Sequence, residues 1–534
     1  MSARIKHLRL VASLSVFVAL LCANMSQAQG ALPTDLDAWV ARSMRTFGVP
    51  GMAIAIVKDG KVVITKGYGV KKMGEPAPVD ENTLFGIGSN TKAFTTAALA
   101  TLVDEGKISW DDKVYERLPG FEMYDPYVSH EITIRDLLTH RSGMGLGEGD
   151  LLFWPHTTYT RADIIYKLRF MKPASSFRSK YAYDNLLYIA AGQIIPAVTG
   201  KTWEEYVSEK ILKPLGMKTT TLSNEKFQTS AASMDIAWPH SKIGGPLRPI
   251  DFVVLDNAAP AGSINSSVAE MSKWIALQLN CGKFLDSEAR LFSERRSREM
   301  WSAQTILPTR EGTGPLGKLA PKFAAYGLGW GLRDYQGRKL VGHTGGVSGF
   351  VSRVMLVPEE KLGVVILTNA ENDLAFDAVL FHVLDSYFGS GSSDWIMLLH
   401  EAEVQDEQES AEEMKKAGEA RVKDSKPSLE PAKYAGRYED MWYGPATIKA
   451  ENGKLIFSLD HTPSATGELK HWQYDTFKVT WKDRTVEDAF VTFSLNSSGS
   501  IDHFTMAAVS PLADFSFDYQ DLWFRPTVSD HQKH

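Results

Sequence analysis

Cysteine is nearly absent from this chain: Cys22 and Cys281 are the two in 534 residues. Cys22 falls in an N-terminal targeting segment, so Cys281 has no intramolecular partner and a disulfide framework is excluded. A catalytic thiol is disfavoured too, because Cys281-Gly282 closes the apolar run Met271 to Leu279, the setting of a half-buried helix-end cysteine. Charge imbalance is small. The net charge of −6, with no basic run interleaved by aromatics, excludes nucleic acid as a partner. The 13 histidines contain no His-Glu-x-x-His or comparable ligand pair, so no metal and no cofactor are expected. Gly-x-Ser-x-Gly is missing as well. Its nearest approach, Gly346-Val347-Ser348-Gly349-Phe350, lacks the final glycine.

Apolar runs long enough to cross a bilayer are also lacking, so no stable membrane span is expected. The run from Leu10 to Ala23 follows Arg4, Lys6 and Arg9 and precedes Ser26-Gln27-Ala28, a small-x-small cleavage site. That pattern predicts a signal peptide over residues 1–28 and a periplasmic or secreted protein. A lipid anchor on Cys22 is disfavoured by Leu21, where a small residue is required. The composition, 44% hydrophobic and 23% charged, is globular, and the length calls for two or three domains.

Periodicity places the elements. An amphipathic helix is expected from Leu36 to Phe47, followed by a hairpin in which Met52 to Val57 and Val62 to Thr65 flank Asp59-Gly60. A second hairpin joins Phe350–Val357 to Leu362–Asn369, and a helix follows from Leu374 to Phe388. Helical stretches lie between, at Arg161–Phe170, Leu186–Thr199 and Trp203–Leu212. Strands at both ends and helices in the middle give an α+β class: an antiparallel sheet flanked by helices, with an inserted helical subdomain, over residues 33–395. Residues 396–427 are charged with both signs mixed and read as a solvated helical linker. Residues 428–528 carry short alternating strands, the pattern of a small all-β barrel with Trp472, Trp481 and Trp523 expected in its core.

Three short motifs carry the chemistry. Ser89-Asn90-Thr91-Lys92 stands where a glycine-rich strand end becomes the alanine-rich run Ala93 to Val103, which stops near Gly106. A serine opening a helix would have a lysine three residues on within reach of its hydroxyl. Ser223-Asn224-Glu225-Lys226 has the same spacing but no apolar helix behind it, so spacing alone does not decide. The other motifs are Tyr183-Asp184-Asn185, the one Tyr-x-Asn among 18 tyrosines, and His343-Thr344-Gly345-Gly346 between two apparent strands. A serine hydroxyl needs an adjacent base, and a free lysine is protonated at neutral pH. Bringing Lys92 to about 7 requires roughly 4 kcal/mol of differential stabilisation, which burial and a helix N-terminus together can supply.

These motifs, in this order, resemble the serine β-lactamases and penicillin-binding proteins, and most closely the class C branch with its carboxypeptidase, D-aminopeptidase and esterase relatives. The segments Ile132 to Gly143, Pro214 to Met217 and Ala261 to Ile264 read the same way. The resemblance implies Ser89 as nucleophile, Lys92 as general base and Tyr183 as proton shuttle or base. It gives Asn185, His343, Thr344, Gly345 and Gly346 to substrate binding and to an oxyanion hole made by the N–H groups of Ser89 and Gly346. Tyr434 to Tyr438 and Leu469 to Trp472 resemble the lipocalin-like domain appended to such hydrolases. The implied activity is a serine peptidase forming an acyl-enzyme on small linear peptides, including D- or unusual residues, cell-wall peptides or linearised microcystin. Carboxylesterase or weak β-lactamase activity and a slowly acylating penicillin-binding receptor are the alternatives, and a homo-oligomer stays open. One departure matters: His343 stands where lysine is usual, which removes a permanent cation and disfavours anionic β-lactams.

Overall fold

Strand β1, Gly51–Lys58, is buried at seven of its eight residues. The computed structural model describes residues 31–391 and 393–527, and the segment read as a signal peptide, 1–28, lies outside the described residues. Asp59 and Gly60 take positive φ, 52° and 76°, and return the chain into β2, Lys61–Gly69. Six further strands complete one sheet: β3 Thr305–Ile306, β4 Ala324–Tyr326, β5 Gly331–Tyr335, β6 Arg338–Val347, β7 Phe350–Val357 and β8 Leu362–Thr368. The order is β2-β1-β8-β7-β6-β5-β4-β3 with every pairing antiparallel. The strand-rich ends of this unit thus meet where β1 pairs with β8, one strand in from the β2 edge.

Both sheet faces are covered, which is why β1 reads as an unbroken apolar run. Met52, Ile54 and Ile56 pack with helices α1, Leu36–Phe47, and α5, Asp373–Phe388. Ala53, Ala55 and Val57 face the opposite way, into a core shared with α4, Val268–Leu279, and the helical subdomain. Two helices dominate that subdomain: α2, Thr91–Asp104, and α3, Leu186–Thr199. Residues 91–102 of α2 are all buried, so this helix is held by packing on every side.

The charged stretch forms a 26-residue helix, α6, Trp395–Ala420. Its first turns are core and not linker. Trp395, Ile396 and Leu399 are buried against α1 and α5, and Trp395 Nε1 donates to Asp385 Oδ2 at 2.8 Å. Burying a side chain such as Ile396 contributes about 1.5–3 kcal/mol, enough to fix where the helix starts.

The C-terminal unit is a closed antiparallel barrel of eight strands, from Gly436–Asp440 to Trp523–Pro526. Aromatic rings fill it: Tyr434 lies 4.8 Å from Phe493, and Phe504 4.7 Å from Phe524. Trp481 belongs to this core, but Trp472, which is half-buried, and Trp523 do not; Trp523 is half-exposed and stacks on His503 at 3.7 Å. The alternation that buries Phe524 turns its neighbour outward.

The barrel is not a separate bead. Thr158 N donates to His461 O at 2.9 Å, the Tyr159 hydroxyl donates to the Tyr443 carbonyl, and Gly149 N donates to Asp518 Oδ2 at 2.6 Å. The segment between its last two strands, residues 509–522, leaves the barrel and enters a cleft of the N-terminal unit. Among the described residues no helix is long and apolar enough to cross a membrane.

Candidate active site

Ser89 lies in a tight turn, Gly88–Asn90, that leads directly into α2. The turn depends on glycine on both sides of the cleft. Gly88 has φ +50°, and a Cβ there would stand 2.6 Å from Gly346 N. A Cβ on Gly345 would stand 1.9 Å from Ile87 O. Strand β6 and the serine turn therefore touch backbone to backbone, an approach no larger residue permits. Asn90 Nδ2 donates to Ser352 Oγ at 2.7 Å and Ser352 donates on to Ile87 O at 2.8 Å, pinning the turn to β7.

Lys92 is fully buried one turn along, with Nζ 3.0 Å from Ser89 Oγ, 2.6 Å from Asn185 Oδ1 and 3.1 Å from Ala261 O. Asn185 and Ala261 present oxygens that can only accept, so they fix two of the lysine N–H bonds and leave the third direction toward Ser89. Burial lowers the Lys92 pKa from 10.5 to about 7, against the opposing pull of Asp150 and Asp184. At neutral pH a large fraction is the free amine, whose lone pair faces the serine hydroxyl.

Tyr183 closes the other side. Its ring lies 4.8 Å from Lys92 Nζ, and its buried hydroxyl has no hydrogen-bond partner among the described residues. Burial pushes the phenol well above 10, with the neighbouring Ser89 hydroxyl pulling the other way, so the free site holds Tyr183 protonated. His140, at φ +53°, packs against this ring at 4.3 Å, and its Nδ1 accepts from Asp184 N at 3.1 Å.

His343 sits on β6 with both ring nitrogens engaged. Nε2 meets the Tyr326 hydroxyl at 2.8 Å, and Nδ1 bonds to the Thr344 carbonyl, so Nδ1 carries the proton and Nε2 accepts. Burial, helped by Lys92, lowers its pKa from 6.5 to about 3, and the imidazole is neutral. Thr344, in register with Arg353 of β7, is exposed on the opposite side of the strand. The structure thus brings Ser89, Lys92, Tyr183, Asn185, His343, Gly345 and Gly346 to one place, and Thr344, on the other side of β6 from His343, lines the same cleft. The look-alike Ser223 does other work: its hydroxyl caps the helix Asn224–Thr229 by accepting from Lys226 N at 3.0 Å. Cys281 is half-buried after α4, at φ +51°.

Several contributors stand in no motif. Asp150 accepts from Asn185 Nδ2 at 2.8 Å and from Ser516 Oγ, on the barrel segment, at 2.9 Å. Phe515 packs edge-on against Tyr183, and Tyr326 holds His343. The cleft they help to line measures about 1040 Å3 and is walled by apolar groups such as Trp154, Leu255 and Phe515.

The beta-lactamase family model matches residues 36–386. The chain belongs to the β-lactamase family. Its barrel, with the end of α6, matches a domain of unknown function, DUF3471, over residues 420–526. The unguisins hydrolase ungD' of Aspergillus campestris is 30% identical over 456 residues, 82% of this chain and 81% of that one. Protein flp of Staphylococcus aureus is 28% identical over 349 residues, 64% of this chain and 63% of its own. Among solved structures, the octameric penicillin-binding protein homologue from Pyrococcus abyssi shares the fold across 92% of this chain and 99% of its own, with a TM-score of 0.57 at 22% identity. SurE does so over 92% and 99%, with a TM-score of 0.53 at 18% identity. Members of the β-lactamase family are serine hydrolases acting on amides and esters, and the packing of Lys92 against Ser89 is the arrangement such chemistry needs.

Proposed function

We propose that this protein is an exported serine hydrolase that cleaves amide bonds of small linear peptides through an acyl-enzyme on Ser89. The observation that carries the reading is the dry Lys92 amine, held by two acceptors with its remaining direction on Ser89 Oγ. Lys92 takes the hydroxyl proton as Ser89 Oγ bonds to the substrate carbonyl carbon. The oxyanion that forms is stabilised by the N–H groups of Ser89 and Gly346, each worth on the order of 3 kcal/mol. The C–N bond then breaks, the leaving nitrogen takes the Tyr183 phenol proton, and the protonated Lys92 beside that ring returns a proton to the phenolate. Water repeats the sequence on the ester to release the acid and restore the serine. The relative named as an unguisins hydrolase, similar over 82% of this chain, supports hydrolysis as the outcome.

Carboxylesterase action is a second reading, favoured by one observation. Neutral His343 offers no permanent cation to an anionic substrate, so uncharged esters and peptides are served better than β-lactams. A hydrolysis screen of the mature protein on D- and L-peptides, short-chain esters and a chromogenic cephalosporin separates these outcomes. Steady peptide turnover is the expected result. A burst on esters with no peptide turnover would replace the peptidase by a slowly acylating receptor.

A further inference from the structure

Asn185 faces Lys92 with an oxygen, and something must hold it that way round. Its amide presents Oδ1 on one side and an NH2 group on the other; a flip would aim N–H bonds at the lysine and remove its acceptor. The Nδ2 side is occupied by Asp150 Oδ2 at 2.8 Å, and that oxygen also accepts from Ser516 Oγ at 2.9 Å. The chain Lys92–Asn185–Asp150–Ser516 therefore runs unbroken from the catalytic amine into the C-terminal barrel. The barrel segment is fastened on either side of Ser516. Phe515 packs on Tyr183 and against Gly147, where a Cβ would stand 2.6 Å from the Phe515 ring, and Asp518 accepts from Gly149 N.

We propose that Asp150, anchored by Ser516, is a positioning residue for Lys92, so that the docked barrel completes the catalytic centre. The inference rests on the reading of Lys92 as the base of Ser89. The electrostatics of the junction agree with it. Asp150 is fully buried and faces Lys92 of α2 and Asp514 and Asp518 of the barrel segment, with Glu148 on its own loop and Asp184 at the start of α3 close by. Burial raises its pKa to about 8, so near neutrality it is largely the neutral acid and adds little negative charge beside Lys92. Its unpartnered Oδ1 is the oxygen free to carry that proton. An ionised Asp150 would instead strengthen the hold of Lys92 on its own proton.

The test is the pH dependence of Ser89 labelling by a fluorophosphonate, measured on the full chain as a second-order rate. Asp150→Ala should lower the plateau by about 10²-fold, the size of effect a misplaced catalytic group produces. Asp150→Asn keeps an acceptor for both donors and should restore most of that rate with the acid limb in place, because Asp150 is already neutral where Lys92 titrates. Ser516→Asp should depress labelling by setting two carboxylates against each other, and the double variant with Asp150→Asn should recover it. A purely structural role would change stability without giving this rescue. A wild-type plateau in Asp150→Ala or in Ser516→Asp overturns the proposal; if Asp150→Ala fails to fold, Ser516→Asp and its recovery in the double variant decide it. Failure of the wild type to label at Ser89 overturns instead the underlying reading of the nucleophile.

Discussion

Phe515, carried by the barrel, meets the ring of Tyr183 edge-on with 5.9 Å between centroids. The charged stretch before the barrel suggests a separable module, yet this contact puts a barrel side chain against a catalytic-site tyrosine. The same segment gives Ser516 to Asp150 and Asp518 to Gly149.

Removal of the barrel after about Ser425 is therefore expected to damage the site. The truncated chain exposes apolar groups now covered, Tyr159 by Tyr443 and Trp154 by Phe517, and leaves Asp150 without its Ser516 partner. Labelling of Ser89 by a small fluorophosphonate should fall at least tenfold, or the soluble yield should collapse. Full-rate labelling of a soluble truncation would show that the barrel is dispensable to the chemistry.

Ser89→Ala is expected to abolish turnover and labelling while leaving the melting temperature within a few degrees of wild type. The hydroxyl touches Lys92 but fills little volume, so its loss creates no large cavity. Ser223→Ala, which removes a helix cap, should do the reverse: unchanged labelling and a cost of about 0.5–2 kcal/mol in chemical denaturation. Labelling retained in Ser89→Ala would reassign the nucleophile.

His343→Lys tests the departure from the usual motif. The imidazole is buried, neutral and bonded at both nitrogens, so a lysine there would bring a second amine into the dry space beside Lys92. Two buried amines disfavour each other's protonation, and the introduced one would not stand as a fixed cation for a penicillin carboxylate. Acylation by penicillin and by an uncharged ester should fall together, with the Tyr326 hydroxyl left unpaired. A selective rise in penicillin acylation would instead show that position 343 reaches the substrate carboxylate.

What could be read from the sequence was whatever repeats with a period or falls within a few residues. The β1 run, the Asp59-Gly60 turn and the Ser89/Lys92 pair are of that kind, since local backbone geometry sets them. Ile396 and Leu399 read as linker because the charge that follows masks one apolar turn. Asp150 and Ser516 stand 366 residues apart, and neither lies in a pattern. Only the closure of the barrel over the cleft brings them together. The solvent-facing Trp523 is a matter of strand register, which a tryptophan-rich composition does not reveal.

The pH profile is the sharpest check on the base. Lys92 is held at about 7 by burial, so the reactive amine grows in as pH rises through that value. Acylation should climb tenfold per pH unit below about 6 and level off above about 8, as expected for one essential group that must lose a proton. Tyr183 stays a phenol across this range because burial holds its pKa well above 10, so no second rising limb should appear before strongly alkaline pH. Lys92→Ala should remove the limb and about 10² to 10⁴ of the rate, and Tyr183→Phe should remove rate while keeping the limb. The contrast assigns the roles. A limb that survives in Lys92→Ala and vanishes in Tyr183→Phe would make tyrosine the base and lysine its electrostatic partner.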